Sequence, residues 1–279
     1  QKLYPRYEMF LKITDTFRQF GKVVPVFNDK HLSWNFHQAN RMVNIARELR
    51  FPLLAGSSVP VAFRVPQVDA PFGATYQRAV AIGYSGIEVY GFHMLEGLQA
   101  MVERRRGGET GVRAVQCLEN EACWTFMSEH DWAGKLFEHA LGFSKTRKPG
   151  APRDLVKEPA VFVIEYQDGL TAAGFMMAGL VDDFTVAVEA EGSAAPVATL
   201  MHLQNGQPYH HFECLVRNIE KMFETGKPPY PVERTLLTTG ILDFALESRI
   251  QGHVKLQTPL LAKVQYRTPN LSHFCPEGW

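Results

Sequence analysis

The 279-residue sequence lacks the features that mark several classes of protein. Its 29 Lys and Arg balance 29 Asp and Glu, so no net positive field draws the chain to nucleic acid or anionic lipid. No apolar run reaches the 18 residues that a membrane-spanning helix needs. Its four cysteines form no CxxC pair and no regular framework, which favours reduced thiols in a cytoplasmic protein. These cysteines are Cys117, Cys123, Cys214 and Cys275.

Motifs of nucleotide and metal sites are also missing. The sequence contains no GxGxxG, and "RRRGGETG" at 104–111 departs from the phosphate-loop pattern GxxxxGK[ST]. Because this segment follows a predicted helix instead of a strand, we interpret it as a helix end and a turn. His210 and His211 with Glu213 are weak candidates for metal ligands, since adjacent residues point to different sides of a helix. We therefore predict no metal site.

The first part of the chain alternates helix and strand patterns. Apolar residues at helical spacing predict a helix over 6–20, and "VVPVF" at 23–27 predicts a strand. Ser33 is expected to cap a helix over 34–50, and "FPLLAG" at 51–56 predicts a second strand. This alternation is typical of a parallel sheet, although two strands alone do not make a stable one.

The pattern changes after the Pro-rich connector "VPQVDAPFG", which we interpret as a domain boundary. A turn at 167–169 containing Asp-Gly predicts a hairpin, and short connections predict antiparallel neighbours from there to residue 204. Residues 142–158 are expected to form a mobile surface loop. We predict strands at 74–83, 110–119, 160–166, 170–179, 184–192, 196–204 and 260–267, and helices at 87–106, 131–141, 209–225 and 233–250.

Lys30 directly follows the first predicted strand, in "VPVFNDKHLSWNF", between Asp29 and His31. In open α/β sheets, ligands bind outside the carboxyl ends of the strands. A lysine at that place is able to donate to a substrate hydroxyl or carbonyl oxygen. The alternative interpretation is an ordinary surface lysine in a loop.

A second candidate lies in the helix predicted over 87–106, where His93 and Glu96 are three residues apart and share one face. Glu88 lies five residues before His93 and reaches the same cleft only if the helix start is irregular. A histidine held by a carboxylate is the usual arrangement of an acid–base catalyst. The alternatives are a pair of metal ligands or a satisfied histidine of the core.

Together, five segments resemble the Gfo/Idh/MocA oxidoreductases, most closely a little-characterised branch of that family, over nearly the whole chain. They are "VPVFNDKHLSWNF", "FPLLAGSSVPVAFR", "GFHMLEGLQAMVERRRGGETGVRAVQCLE", "FVIEYQDGL" and "GKPPYPVERTLLTTGILDFALESR". In that family an N-terminal Rossmann domain holds NAD or NADP, and a C-terminal domain with a large open sheet covers it. Sugars or cyclitols are oxidised between the two domains.

Two family motifs correspond to the candidate residues. The strand-end motif Glu-Lys-Pro corresponds to Asp29, Lys30 and His31, and the motif Asp-x-Gly-x-His ends at His93, with Val89 replacing its aspartate. The resemblance implies that Lys30 polarises the substrate oxygen and that His93 is the general base. The residues it implies in substrate binding are Asp29, His31, Glu88 and Glu96.

The resemblance implies an α/β plus α+β protein. Residues 1–65 would be the remnant of a parallel, dinucleotide-binding sheet, and 66–267 a substrate domain with a large, mainly antiparallel open sheet flanked by helices. Residues 268–279 would be a C-terminal tail. Because the glycine-rich nucleotide loop is missing, we expect an N-terminally truncated chain whose full-length parent binds NAD or NADP. We also expect a homo-oligomer that pairs through the open face of the large sheet.

Two other functions stay open at this point. A lyase or epimerase acting on keto-sugars would keep the Lys30 and His93 pair and abstract a proton beside a carbonyl, with no net redox change. A sugar-binding or scaffold protein would instead use the open sheet face for assembly. The specific substrate and the choice between NAD and NADP are not readable from this sequence, because the residue that reads the ribose would lie in the missing part.

Overall fold

The computed structural model describes residues 3–204, 206–207, 209–272 and 274. Its first unit is a two-stranded parallel sheet of β1 (Val26–Asp29) and β2 (Leu53–Gly56). Helix α1 (Arg6–Phe20) precedes β1, and α2 (Phe36–Leu49) connects the two strands. The predicted helix–strand–helix–strand order is therefore confirmed.

Two local boundaries in this unit differ from the prediction. Strand β1 begins after Pro25 instead of at Val23, and its first backbone bond runs from the Val26 N–H to Pro52 O over 2.9 Å. Proline has no N–H to donate to a strand partner, so pairing begins beyond it. Helix α2 is capped by the Asn35 side chain, which accepts from the Gln38 N–H over 2.8 Å, instead of by Ser33.

The second unit is a mixed sheet of eight strands in the order β10-β5-β6-β7-β4-β8-β9-β3. All neighbours are antiparallel except β4 and β7, which are parallel. The strands are β3 (Phe63–Val65), β4 (Tyr76–Gly83), β5 (Val112–Glu119), β6 (Ala160–Tyr166), β7 (Thr171–Met176), β8 (Phe184–Ala190), β9 (Val197–His202) and β10 (Leu256–Gln257). The predicted fold class, a small parallel sheet followed by a large and mainly antiparallel one, is confirmed.

Strand order in the large sheet corrects two expectations. Strand β4 lies between β7 and β8, with Ile82 opposite Phe175 on one side and Thr185 on the other, so β7 and β8 are not neighbours. The predicted last strand at 260–267 is instead a 3-10 turn, Leu261–Lys263, followed by an isolated bridge at Tyr266. Strand β3 falls within 1–65 yet pairs with β9 of the large sheet, and the domain limits stay a prediction.

Helices cover both faces of the large sheet. Helices α3 and α8 pack on one face, and α2 packs against α8. Helices α4 and α5 pack on the other face, where Trp124, Phe126 and Phe137 meet β-strand residues such as Ile82 and Phe175. The face predicted to be open for pairing with another subunit is thus covered by the chain's own helices. The helices are α3 (Tyr90–Val102), α4 (Glu121–Glu129), α5 (Asp131–Leu141), α6 (Pro152–Leu155), α7 (His210–Thr225) and α8 (Glu233–Ile250).

Segment 142–158, which was predicted to be a mobile surface loop, contains α6 and is held by Asp183. The Asp183 carboxylate accepts from the Ser144 hydroxyl and from the Lys145 N–H, at 2.8 and 2.9 Å. Among the described helices, none has the length and apolar character needed to cross a membrane. Cys214 is disulfide-bonded, so the expectation of reduced thiols is wrong for this residue. The cytoplasmic location stays a prediction.

Candidate functional site

Lys30 directly follows β1, at the carboxyl ends of the two parallel strands. Its backbone N–H donates to Gly56 O over 2.9 Å, which ties the ends of β1 and β2 together. Its φ is 66°, a left-handed conformation that costs a non-glycine residue about 1–2 kcal/mol. Strained backbone of this kind concentrates at functional sites. No periodicity in the sequence predicts this conformation, which Arg50 at the end of α2 shares.

Gly56, opposite Lys30, has to be glycine for two reasons. Its φ of 125° is accessible at low cost only to glycine. A Cβ at this position would overlap the Oε2 atom of Glu96. The end of β2 is therefore packed directly against α3, the helix that carries His93.

His93 lies in the first turn of α3, and its ring has aromatic neighbours on several sides. The centroids of Tyr90, Phe92 and Phe184 are 5.7, 6.0 and 6.3 Å away. Its Nδ1 atom is buried and has no hydrogen-bond partner. Burial, and then the positive charge of Lys30, lower the pKa of His93 to about 4. The imidazole is therefore neutral at pH 7 and free to accept a proton.

His31 lies beside this pair and is held by groups from α1 and α3. Its ring is 5.4 Å from Tyr4 and 5.5 Å from Phe92, and its Nε2 is 3.3 Å from Nη1 of Arg6. Burial, followed by the charges of Arg6, His93 and Lys30, lowers the pKa of His31 to about 3. The ring is thus neutral at pH 7, and Nε2 accepts from the guanidinium.

Arg6 is a neighbour of His31 that the sequence patterns did not predict. It occupies the first turn of α1, and its guanidinium carbon lies 4.5 Å from the centre of the Tyr4 ring. Burial lowers the pKa of Arg6, although Asp29 and Tyr4 act in the opposite direction. Asp29 itself is exposed. The signal in the sequence was only an arginine on the polar side of an amphipathic helix, which is common in any protein.

Glu88, just before α3, and Glu96, within α3, have different surroundings. Glu88 is half-buried in the irregular turn before the helix and is already engaged in an interaction. Glu96 is only 1% exposed, and it accepts from the Ser57 N–H at 3.2 Å and from the hydroxyls of Thr235 and Thr238 at 3.2 and 2.7 Å. These bonds run to β2 and α8, so the structure does not bring Glu96 to His93 or to a substrate. Burial raises the pKa of Glu96 against these hydrogen bonds.

Similarity to known proteins is visible in structure but not in sequence. No protein-family model matches the chain, and no curated protein does either. Among solved structures, GenD2 from gentamicin A biosynthesis in complex with NAD is 14% identical, with a TM-score of 0.59 over 92% of this chain and 76% of that one. Myo-inositol dehydrogenase from Lactobacillus casei, in complex with NAD(H) and myo-inositol, is 9% identical, with a TM-score of 0.55 over 92% and 77%.

A third solved structure is similar to the chain to the same degree. An oxidoreductase from Agrobacterium radiobacter in complex with NAD+, L-tartaric acid and magnesium is 12% identical, with a TM-score of 0.55 over 92% of this chain and 78% of that one. The chain has the fold of the Gfo/Idh/MocA oxidoreductases. The fold implied by the resemblance is therefore confirmed.

Other candidate segments do not contribute to the cleft of this Gfo/Idh/MocA-type fold. His210 Nδ1 lies 3.0 Å from Glu213 Oε2, and Glu213 also accepts from Arg217 at 2.6 Å. Within the described residues, no group of three or more His, Cys, Asp or Glu is arranged to hold a metal ion. In the segment 104–111, Arg105 is buried against Glu109 at 3.0 Å and Asp168 at 2.6 Å, so it binds carboxylates of its own chain instead of a phosphate.

The large concave surfaces of the Gfo/Idh/MocA-type fold lie elsewhere. One of about 910 Å³ is lined by residues of α5 and β4 such as Trp132 and Arg78. Another of about 540 Å³ lies between the end of α2 and the Pro-rich segment 228–231. Neither includes Lys30 or His93, so we place the candidate site by its chemistry and not by cavity size.

Proposed function

We propose that the full-length protein is an oxidoreductase that converts a secondary alcohol of a sugar or cyclitol to a ketone, with NAD or NADP as cofactor. The observation that carries this proposal is the position of Lys30 at the carboxyl end of β1, together with the buried and unpartnered Nδ1 of His93, whose pKa is lowered by burial and then by the charge of Lys30. Carboxyl ends of parallel strands are where ligands bind in open α/β sheets. Solved structures of the same fold contain NAD, and one also contains myo-inositol.

In this proposal the two side chains divide the work on one hydroxyl group. Neutral His93 takes the proton of the hydroxyl, and the ammonium of Lys30 stabilises the negative charge that develops on the oxygen. An imidazole with a pKa of about 4 is a weak base, so proton transfer depends on the lysine charge making the hydroxyl more acidic. The buried and unpartnered Nδ1 of His93 fits a group that is completed only when a ligand is bound.

In this proposal the cofactor lies at the carboxyl ends of β1 and β2. Lys30 and the turn at Gly56 and Ser57 would then border its nicotinamide ring. The bound nicotinamide would supply the acceptor for the hydride that leaves the carbon. The sequence contains no glycine-rich turn for the pyrophosphate, so we expect the 279-residue chain alone to bind NAD(H) weakly. Calorimetry that found micromolar binding by this chain would contradict that expectation.

The test is steady-state kinetics of the full-length parent. His93→Asn should lower kcat by about 10²–10⁴-fold, the range for loss of a general base, with a smaller change in KM. Lys30→Met should also lower turnover, because it removes the charge that stabilises the oxygen. His37→Asn and Lys22→Met, both exposed and outside the cleft, serve as matched controls. A His93→Asn enzyme with near-normal kcat would overturn the proposed roles.

The two alternative functions differ in their support. A lyase or epimerase would use the same pair on a keto-sugar, and product analysis without reduction of NAD would identify it. An assembly role stays a prediction, and any pairing on the face that carries α4 and α5 would involve these helices instead of bare strands.

A further inference from the structure

We propose, building on the oxidoreductase function above, that Glu96 is a positioning residue, which fixes the separation of Lys30 and His93 without touching the substrate. His93 lies one turn before Glu96 in α3, whereas Lys30 follows β1 of the first unit. The two proposed reacting groups therefore belong to different parts of the fold. Their separation depends on what joins the ends of β1 and β2 to α3.

The loop that carries Lys30 is tied to β2 and to α8. The Lys30 N–H donates to Gly56 O over 2.9 Å, so the position of the Lys30 backbone depends on the end of β2. The Leu32 N–H donates to the Thr239 hydroxyl oxygen of α8 at 3.2 Å. Neither of these bonds reaches α3, so a further group has to connect the strand ends to the helix of His93.

Glu96 makes this connection through both of its carboxyl oxygens. Its Oε2 accepts from the Ser57 N–H at 3.2 Å and occupies the space that a Cβ on Gly56 would fill. Its Oε1 lies 2.7 Å from the Thr238 hydroxyl and 3.2 Å from the Thr235 hydroxyl. The end of β2, α3 and α8 therefore meet at one buried carboxyl group.

A continuous path of short contacts thus runs from Lys30 to His93. It leads from the Lys30 N–H to Gly56 O, along the backbone to the Ser57 N–H, on to the Glu96 carboxyl group, and back over one turn of α3. Glu96 is only 1% exposed, so water does not replace its bonds. Because a misplacement of about 1 Å between reacting groups can cost about 10²-fold in rate, a change at Glu96 should reach turnover through geometry.

This role requires the hydrogen bonds of Glu96 and not its negative charge. The hydroxyls of Thr235 and Thr238 each have a second acceptor within reach. These acceptors are Ala55 O at 3.0 Å and Arg234 O at 3.1 Å, respectively. In Glu96→Gln, the amide oxygen is therefore able to accept from the N–H that follows β2, while the amide protons bind the two threonine oxygens. Glu96→Met has a similar length and leaves that N–H without a partner.

The experiment measures the electrostatic coupling of the two proposed groups in the 279-residue chain and does not depend on turnover. Lys30→Met should raise the pKa of His93, and the size of the rise reports how close the lysine charge lies to the imidazole. We expect the same rise in the Glu96→Gln background as in wild type, and a smaller rise in the Glu96→Met background. Gln99→Met is the matched control. Gln99 is also 1% exposed on α3 and accepts from the Tyr166 hydroxyl at 3.0 Å, so its loss should destabilise the fold and leave the coupling unchanged.

Kinetics of the full-length parent add a second readout. Glu96→Met should lower kcat by about 10–10²-fold with a smaller change in KM, because misplaced groups weaken the transition state more than they weaken binding. The conservative variant Glu96→Gln should restore most of this turnover, whereas loss in both variants is expected of an acid or base. If Glu96→Met does not fold, Glu96→Asp replaces it in both measurements. This variant keeps the charge of wild type and is one methylene too short to bridge the same groups.

The outcomes separate the two proposals. A rise in the pKa of His93 that is as large in Glu96→Met as in wild type would overturn the positioning role and leave the oxidoreductase function intact. Weakened coupling in Glu96→Gln would also overturn it, because the charge and not the hydrogen bonds would then matter. No rise in wild type would overturn the influence of Lys30 on which both proposals rest. Absence of cofactor reduction with any sugar or cyclitol, beside the expected coupling, would overturn the oxidoreductase function alone.

Discussion

The two ends of α3 treat buried polar groups in opposite ways. At the amino-terminal end, His93 leaves Nδ1 without a partner, and the nearby cations Lys30 and Arg6 have no carboxylate within 4.0 Å among the described residues. At the carboxyl-terminal end, Glu103 is bound by Arg234 through two hydrogen bonds at 2.5 and 2.9 Å and by the Tyr266 hydroxyl at 2.8 Å. One helix thus carries an incomplete site and a complete network.

We interpret this difference between the two ends of α3 as one between groups that stabilise the fold and groups that a ligand would complete. Burial alone would raise the pKa of Glu103, but the charge and hydrogen bonds of Arg234 outweigh it and the pKa is lowered. The buried charge of Glu103 is compensated by a buried arginine of the same chain. At the amino-terminal end, we propose that a bound ligand supplies the missing partners.

The largest expected effect comes from breaking the complete network. Arg234→Met leaves Glu103 buried without its cation and should lower the free energy of unfolding by about 3–5 kcal/mol. Urea denaturation measures the change. Arg249→Met is the matched control, because its pair with Glu119 at 2.8 Å is half-exposed and contributes about 0–1 kcal/mol. If both substitutions lowered the free energy of unfolding equally, the distinction between the buried and the half-exposed ion pair would be wrong.

A second prediction contrasts two buried carboxyls of the same helix through pH. The pKa of Glu96 is raised by burial, so wild type should lose stability relative to Glu96→Gln as pH rises above the unfolded value of about 4.3. The pKa of Glu103 is lowered, so its contribution is present above about pH 4.3 and is lost as pH falls through the native pKa. As pH rises, the unfolding free energy of wild type minus that of Glu96→Gln should therefore fall, whereas the same difference for Glu103→Gln should rise. Parallel curves would contradict the assignment.

The smallest expected effect concerns backbone strain at the cleft. Lys30 and Arg50 both adopt left-handed conformations, with φ of 66° and 59°. Replacing either by glycine should stabilise the fold by at most about 1 kcal/mol, because relief of strain is partly offset by the extra chain entropy of glycine. Thermal unfolding measures this gain. Lys30→Gly should lose turnover while Arg50→Gly, at the end of α2, keeps it. A Lys30→Gly enzyme with normal turnover would contradict the role proposed for the Lys30 ammonium.

Local features of the fold were predictable from sequence, whereas long-range pairings were not. The predicted bounds of α1, 6–20, agree with the structure, since the apolar spacing that predicts a helix depends only on near neighbours, and the predicted bounds of α8, 233–250, agree as well. The insertion of β4 between β7 and β8 depends on contacts about 90 residues apart, for which the short connection between β7 and β8 was misleading. The sequence predicted Ser33 as the cap of α2, whereas Asn35 is the cap in the structure. Both residue types are good caps, so local sequence does not distinguish them.

The site was predictable only in part for a similar reason. Lys30 was predicted from its place after a strand, and His93 from a motif at family spacing, and the roles of both stay predictions. Glu96 shares a helix face with His93, but that spacing does not say which neighbour uses its oxygens, and α8 supplies Thr235 and Thr238. Arg6 reaches the cleft from a helix 25 residues before His31, and nothing in the local pattern indicates this.

The central claim, that Lys30 and His93 act at one place, is tested most directly by the titration of His93 in the 279-residue chain itself. NMR of the imidazole resonances, assigned by comparison with His93→Asn, should give a pKa of about 4, far below the ordinary 6.5. Because burial and then the charge of Lys30 cause this shift, Lys30→Met should raise the pKa of His93, while Lys22→Met should leave it in place. A His93 that titrates near 6.5, or whose lowered pKa does not respond to Lys30→Met, would contradict the account.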